Sequence, residues 1–337
     1  MESADTDERG TDADERGADV DERGAGTDER AADIEGVHAA VEAAIAAGAP
    51  GDLRVLGYGE MTLVIGWPTQ APTHAVKRLP PFATRAGVDA YARLVRDYID
   101  ALAARGVLSV PTEVVTLHAR GGFAAYLVQP MTPPGLLLDR WLADGAPPED
   151  GLAALTTLAR GVAGAADATV GLDGQVSNWA RTDGGSLALL DLTTPMLCDA
   201  EGRERLDTRL FTAVYPWVMR AALRRFVAPQ VMADFHRPRQ ILTDAASNLL
   251  RQGMDEWMPV MVQAANVVLP EPLTRADVER YYRSDTRLWG TTERLRRTER
   301  WWQRSVRRRA YPMLLAPPGG IRPPRRSPFD PATGSRP

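Results

Sequence analysis

Apolar positions recur at helical spacing from Ile34 to Ala47, in an alanine-rich stretch that Gly48 and Pro50 terminate, so the chain's first predicted element is a helix. The period then changes. LRVLGYGEMTLVIGW, residues 53–67, reads as two short β-like runs joined by glycines, and a turn at Pro68–Pro72 leads into a third run, THAVKRL. Residues 53–79 are therefore expected to form three antiparallel strands. Helical spacing returns over 85–105, with Val88, Tyr91, Leu94, Val95, Tyr98 and Leu102 on one face. Strands follow at 113–118 and 123–129, the second running into YLVQPM. Beyond Pro133-Pro134-Gly135 the pattern is mainly helical: 136–143, 149–168, 204–226, 229–252, 254–267 and 274–309. One short strand-turn-strand interrupts it at 176–192, centred on Asp183-Gly184-Gly185. The expected class is α+β, with an N-terminal antiparallel sheet lobe over 37–131 and a helical C-terminal lobe over 132–312.

The flanks differ in kind. Asp-Glu-Arg repeats every seven residues, at 7–9, 14–16, 21–23 and 28–30, without the apolar seam of a coiled coil and with Gly10, Gly17 and Gly24 opposing a helix. Residues 1–36 read as a disordered acidic tail with a net charge of −10, and 313–337 as a disordered Pro/Arg-rich tail. Residues 275–337 carry +10, so the overall −4 conceals opposed ends that could attract each other or a protein partner. The 337 residues are 44% apolar, enough for a sizeable core. No run of 18 apolar residues suggests a membrane span, and the acidic start excludes a secretory signal. With one cysteine, Cys198, a disulfide and a cysteine-based metal cage are excluded, and the four scattered histidines show no metal-ligand spacing. A cytoplasmic setting follows.

One count redirects attention to chemistry. Of 40 basic residues a single one, Lys77, is lysine. Arginine replaces lysine freely on a solvated surface, but a compact ammonium that must touch one phosphate oxygen is harder to replace by a planar guanidinium. Gly57-Tyr58-Gly59 precedes it by 18 residues, in a strand-turn-strand where glycines let backbone N–H groups approach a phosphate. Asp173-Gly-Gln-Val-Ser-Asn178 follows in a loop, and Asp191, thirteen residues past Asn178, ends the apolar run LALLD. Ordinary Asx-turn chemistry would also explain Asp173 and Asn178, and a cap would explain Asp191. Taken together the residues fit phosphoryl transfer, in which placed charge matters more than a covalent nucleophile.

GYGEMT, AVKRL, YLVQPM, D-x-x-x-x-N and LLDLTTP resemble the glycine-rich loop, strand lysine, hinge, catalytic loop and metal-binding aspartate of the protein-kinase-like superfamily. The resemblance covers roughly 50–200. It implies a bilobal fold binding ATP and Mg²⁺, with Gly57, Gly59, Lys77 and Gln129 at the nucleotide, Asn178 and Asp191 at the metal, and Asp173 as catalytic base. The family's lysine is paired by an acid on the next helix. Residues 84–105 contain no Glu, and Asp97, 20 residues past Lys77, is the substitute. Gly171 stands two residues before Asp173, where the family has His or Tyr, Gln175 replaces a catalytic-loop lysine, and Asp-Leu-Thr replaces Asp-Phe-Gly. These departures favour the small-molecule branch that includes aminoglycoside and choline kinases, with a hydroxyl- or amine-bearing acceptor. An inactive, nucleotide-binding pseudokinase that scaffolds a partner stays open beside it.

A third expectation concerns 293–309, ERLRRTERWWQRSVRRR, an amphipathic helix with Leu295, Trp302 and Val306 on one face. Nucleic acid or an anionic membrane surface would suit its arginines. The plainer expectation is a final helix that docks its Trp face on the core, with Tyr281, Tyr282, Trp289, Trp301 and Trp302 as core aromatics.

Overall fold

In a computed structural model of the chain, residues 34–58, 63–119, 121–212, 215, 217–306 and 314 are described. Gly59, the Asp-Glu-Arg repeats and the Pro/Arg-rich residues 315–337 lie outside them. The chain is α+β. Helix α1 spans 34–47. A five-stranded antiparallel sheet follows, made of β1 (Val55–Tyr58), β2 (Leu63–Trp67), β3 (His74–Arg78), β5 (Glu113–Ala119) and β6 (Gly122–Pro130), in the order β1-β2-β3-β6-β5. Helix α2 (Arg85–Ala104) separates β3 from a two-residue strand, β4 (Leu108–Ser109).

The two faces of this sheet follow from strand alternation. Val76, Ala124 and Tyr126 join a cluster with Val37, Val41 and Ile45 of α1. The intervening Leu79, Ala125 and Leu127 face the other way, into a cluster with Val88, Tyr91, Leu94, Val95, Tyr98 and Leu102 of α2. That helical stripe is the one the sequence predicts. Thr84 caps α2, its hydroxyl accepting from the Gly87 N–H at 3.1 Å. Leu79 and Leu127 share this second cluster with Leu155 and Leu158 of the helical region, so one apolar body runs from the sheet into the helices. Ile34 and Leu314 are both buried in the α1 cluster, which extends the folded part slightly past the expected tail boundaries at 36 and 313.

The helical region contains α3 (Leu138–Ala143), α4 (Pro148–Ala165), α5 (Arg209–Thr212), α6 (Trp217–Ala222), a π-helical turn at Leu223–Val227, α7 (Ala228–Asp234), α8 (Pro238–Gln252), α9 (Trp257–Asn266) and α10 (Arg275–Ser305). The helix expected over 229–252 is broken. Pro238 has no N–H to continue a helix, and it sits at the start of α8 after a corner at Phe235–Arg237. The helix expected at 204–226 is likewise reduced to α5, α6 and the π turn. Between α4 and α5 lies a small hairpin, β7 (Trp179–Arg181) and β8 (Leu187–Leu189), closed by Gly185 at φ 76°. Its strand β8 also pairs in parallel with β4, an interaction too short to show in the sequence pattern.

Helix α10 does not dock Trp301 and Trp302 as expected; the side chains of Trp289 and Leu295 lie outside the described residues. Tyr282 is core, but Trp301 and Trp302 are 60% and 40% exposed, and Val306 is exposed too. What anchors this end is polar: Glu299 is buried with Arg220 3.8 Å away, and Arg300 donates to the Gly48 carbonyl at 3.1 Å.

Candidate functional site

Lys77 lies on β3, on the face that carries Leu79 toward α2, whereas its neighbour Arg78 points to α1 and pairs with Glu42. The buried Lys77 ammonium donates to the Leu190 carbonyl at 3.0 Å and to Asp191 Oδ1 at 3.3 Å. Gln129 is placed by register. Its strand β6 pairs Ala75 with Gln129 and Lys77 with Leu127, so Gln129 and Lys77 are diagonal neighbours on one face. The buried Gln129 amide also donates to Leu190, at 2.8 Å, and to Thr112 Oγ1 at 2.9 Å. Two donors from the sheet thus grip one carbonyl that immediately precedes Asp191.

The hairpin sets the rest. Asn178 ends a 3₁₀ turn just before β7, Asp191 lies two residues past the end of β8, and the Leu190 N–H donates to the Asn178 carbonyl at 2.8 Å. Both residues therefore sit at the same end of one antiparallel pair. Asp191 Oδ1 accepts from Lys77, from the Thr193 N–H at 3.0 Å and from Thr193 Oγ1 at 2.6 Å. Its Oδ2 has no partner among the described residues, and the Asn178 side-chain amide has none either. About a third of the Asp191 side chain is exposed. Burial alone would raise its pKa, but the Lys77 charge and the two Thr193 donors outweigh that and hold the carboxyl below its usual range.

Asp173 Oδ1 accepts from the Gln175 N–H at 2.9 Å, the Asx turn that the sequence allows. Its carboxylate and that of Asp191 both lie near the buried Tyr98 phenol, whose pKa is pushed far up, first by burial and then by these two charges and Glu204. Gln175 reaches Asp244 and Asn248 of α8, at 3.0 and 2.9 Å, so the position where the resemblance would have a lysine is tied to the lower helices. Gly57 lies on β1, paired with Val64.

Asp97 goes elsewhere. Its carboxylate pairs with Arg205 at the surface, and Lys77 finds its anion in Asp191 instead. The reason is the face of α2. Asp97 stands between the inward-facing Leu94, Val95 and Tyr98, on the exposed side of the helix. Contacts from α2 to the site come from two phenols that sequence reasoning did not assign: Tyr91 donates to the Thr193 carbonyl and Tyr98 to the Gly171 carbonyl, both at 2.9 Å. Gly171 is itself forced, because a Cβ there would lie 2.7 Å from the Phe235 carbonyl and 3.1 Å from His236 Nε2. Thr193, Asp244 and Asn248 were also missed. The i,i+4 spacing of Asp244 and Asn248 on α8, one turn from the buried Ile241 and Ala245, was the signal available for the last two.

The fold and site define an α+β protein whose sheet presents one lysine to the aspartate ending a hairpin in the helical region. Within that class the chain belongs to DUF6206, a family of unknown function, whose match spans residues 37–300. The acidic repeats and the Pro/Arg-rich end fall outside that match. No curated protein matches the chain.

Proposed function

We propose that this protein is a phosphotransferase of kinase-like fold, moving the γ-phosphoryl group of ATP to a small hydroxyl- or amine-bearing acceptor. The observation that carries the reading is the 3.3 Å contact between Lys77 and Asp191, made across 114 positions of chain by the single lysine present. Lys77 would exchange the Leu190 and Asp191 oxygens for phosphate oxygens, and Gln129 would keep Leu190 in place as it left. The free Asp191 Oδ2 and the unengaged Asn178 amide oxygen form a hard donor set that suits Mg²⁺. Bound there, that ion would neutralise charge on the phosphate oxygens. Asp173 would take the acceptor proton as the acceptor oxygen or nitrogen bonds to the γ-phosphorus and the bond to the bridging oxygen of ADP breaks. The Asx turn at Gln175 fixes the backbone beneath that carboxylate.

A second reading, an inactive pseudokinase, draws on one observation. Asp97 pairs with Arg205, so α2 supplies no acid to hold Lys77 once Asp191 turns to a metal. Turnover of ATP with a panel of aminoglycoside, choline and sugar acceptors, in wild type and in Asp173→Ala and Asp191→Ala, decides between them. Activity lost in both variants supports the transferase. Thermal stabilisation by Mg·ATP without turnover supports the pseudokinase, and no nucleotide effect at all removes both.

A further inference from the structure

Three ligating side chains that share no regular spacing meet behind the segment leading to Asp173. Cys198, Glu204 and His236 place one Sγ, one carboxylate oxygen and one ring nitrogen within 4.8 Å of one another. The Cys198 sulfur is 3.8 Å from His236 Nε2, and Glu204 Oε1 is 2.7 Å from that same nitrogen. Three local features build the cluster. Cys198 and Glu204 face each other across an isolated antiparallel bridge, Leu197 bridges Val170 in the same way, and His236 stands in the corner that Pro238 forces before α8.

The hydrogen-bond roles are constrained by chemistry. His236 Nδ1 lies 2.9 Å from the Asp167 carbonyl, which only accepts, so Nδ1 carries a proton. In a neutral ring Nε2 then holds a lone pair, directed at a carboxylate and a sulfur that are also electron-rich. Something positive must lie among these three atoms. The second oxygen, Glu204 Oε2, is buried with no hydrogen-bond partner, an unpaired charge-bearing atom of the kind that folded proteins rarely leave.

We infer that Cys198, Glu204 and His236 bind a borderline-soft divalent cation of the zinc type, with the Asp167 carbonyl orienting the histidine and solvent completing the coordination. Thiolate, imidazole and carboxylate together select zinc over magnesium or calcium. Zinc bonds of about 2.3 Å to sulfur and about 2.0–2.1 Å to nitrogen would set the two ligands roughly 3.5 Å apart in a tetrahedron, close to the separation seen. The 2.7 Å Nε2···Oε1 contact would open, and the unpartnered Oε2 offers the carboxylate a second way to bind. A carbonyl behind the histidine is the usual outer-shell arrangement at metal sites. The ion would clip the 196–204 segment to the 235–237 corner, and between them runs Thr169–Leu172, whose backbone already bonds Cys198, Met196 and Phe235. This site is independent of the nucleotide reading, since it uses none of the same side chains.

The test uses the full chain, stripped with a chelator and titrated with ZnCl₂ in excess MgCl₂ so that acidic segments are occupied by the harder ion. One zinc per chain, a rise in melting temperature, and a thiolate-to-metal charge-transfer band on Co²⁺ substitution are expected. Cys198→Ser should abolish that band, and His236→Gln should weaken zinc by more than the roughly 10–100-fold that loss of an outer-shell partner costs. Circular dichroism of the stripped variants separates lost binding from lost folding. Absence of the charge-transfer band in the wild type would overturn the inference without reference to any variant, leaving a shared proton between His236 and Glu204. Zinc binding that is unchanged in Cys198→Ser and His236→Gln would overturn it equally.

Discussion

Replacing Lys77 by Met and Asp191 by Ala removes the two halves of one ion pair, and the structure says the costs are unequal. In Lys77→Met both former acceptors keep a donor: Leu190 retains Gln129, and Asp191 retains the Thr193 N–H and hydroxyl. Asp191 is also about one-third exposed, so water screens its remaining charge. The expected loss is about 1–2 kcal/mol, the cost of a charged hydrogen bond whose partner is not stranded. In Asp191→Ala the buried ammonium is left with the Leu190 carbonyl alone, which approaches the roughly 3–5 kcal/mol of an uncompensated buried charge. Urea unfolding of both variants with a common slope reads the difference directly. The pH dependence carries a sign. The Asp191 carboxyl is held below its ordinary value of 3.8. Its contribution is therefore complete above that value and disappears as pH falls through the lower folded-state value. The gap between wild type and Lys77→Met should narrow in acid and stay flat from pH 5 to 8. Equal costs for the two variants, or a gap that widens in acid, would refute the reasoning.

Three further outcomes follow from single contacts. Gly171→Ala forces a methyl against the Phe235 carbonyl and should destabilise by about 1–3 kcal/mol in thermal melts, whereas a neutral result would refute the close approach of Phe235 as the reason for glycine at 171. Leu158→Ala opens a cavity at a fully buried position of α4 and should cost about 2–5 kcal/mol in denaturant unfolding; a cost below 1 would place Leu158 outside the core. Partial burial alone would raise the Asp167 pKa, but Thr169, the Val170 N–H and Arg105 hold its carboxyl well below the usual range, so its stabilising effect should be complete above about pH 4 and decline progressively as pH falls further toward the lower folded-state value. Asp167→Asn should remove that part of the acid-induced loss, and an unaltered acid limb would count against it.

The sheet was legible in the sequence because its strands are separated by glycine and proline and because α2 buries the stripe its period announces. The helical region was less so. A continuous apolar period from 229 to 252 hides the Pro238 corner, since the hydrophobic pattern resumes in phase across it, and only the missing N–H marks the break. Of the candidate site, the meeting of Lys77 with Asp191 was within reach because a strand of the sheet and the end of a hairpin bring the two together, with the Asn178 backbone at the same hairpin end. Asp97 could not be judged correctly from spacing alone. An acid one position off the buried stripe looks equivalent in sequence to one on it, yet the helix turns it to Arg205. Cys198, Glu204 and His236 were beyond reach because their meeting depends on two isolated bridges and that same corner, none of which leaves a periodic trace.

Asp97 of α2 turns to Arg205 rather than to Lys77, and what α2 supplies around the lysine is neutral. An acidic side chain would fix Lys77 by charge. Here the helix fixes the groups around Lys77 through neutral donors, with Tyr91 holding the Thr193 carbonyl and Tyr98 the Gly171 carbonyl. Thr193 in turn holds Asp191 Oδ1, and Gly171 lies two residues before Asp173. Both phenols are buried and their pKa values are pushed up by burial and by the neighbouring carboxylates, so each stays a neutral donor. A displacement of α2 would therefore act on Asp173 and Asp191 through backbone carbonyls, and on Lys77 only indirectly through Asp191. Lys77 keeps its position from the sheet side, where Gln129 shares its carbonyl. The helix and the sheet each hold one half of the ion pair, so that contact depends on the packing of both against the same apolar cluster.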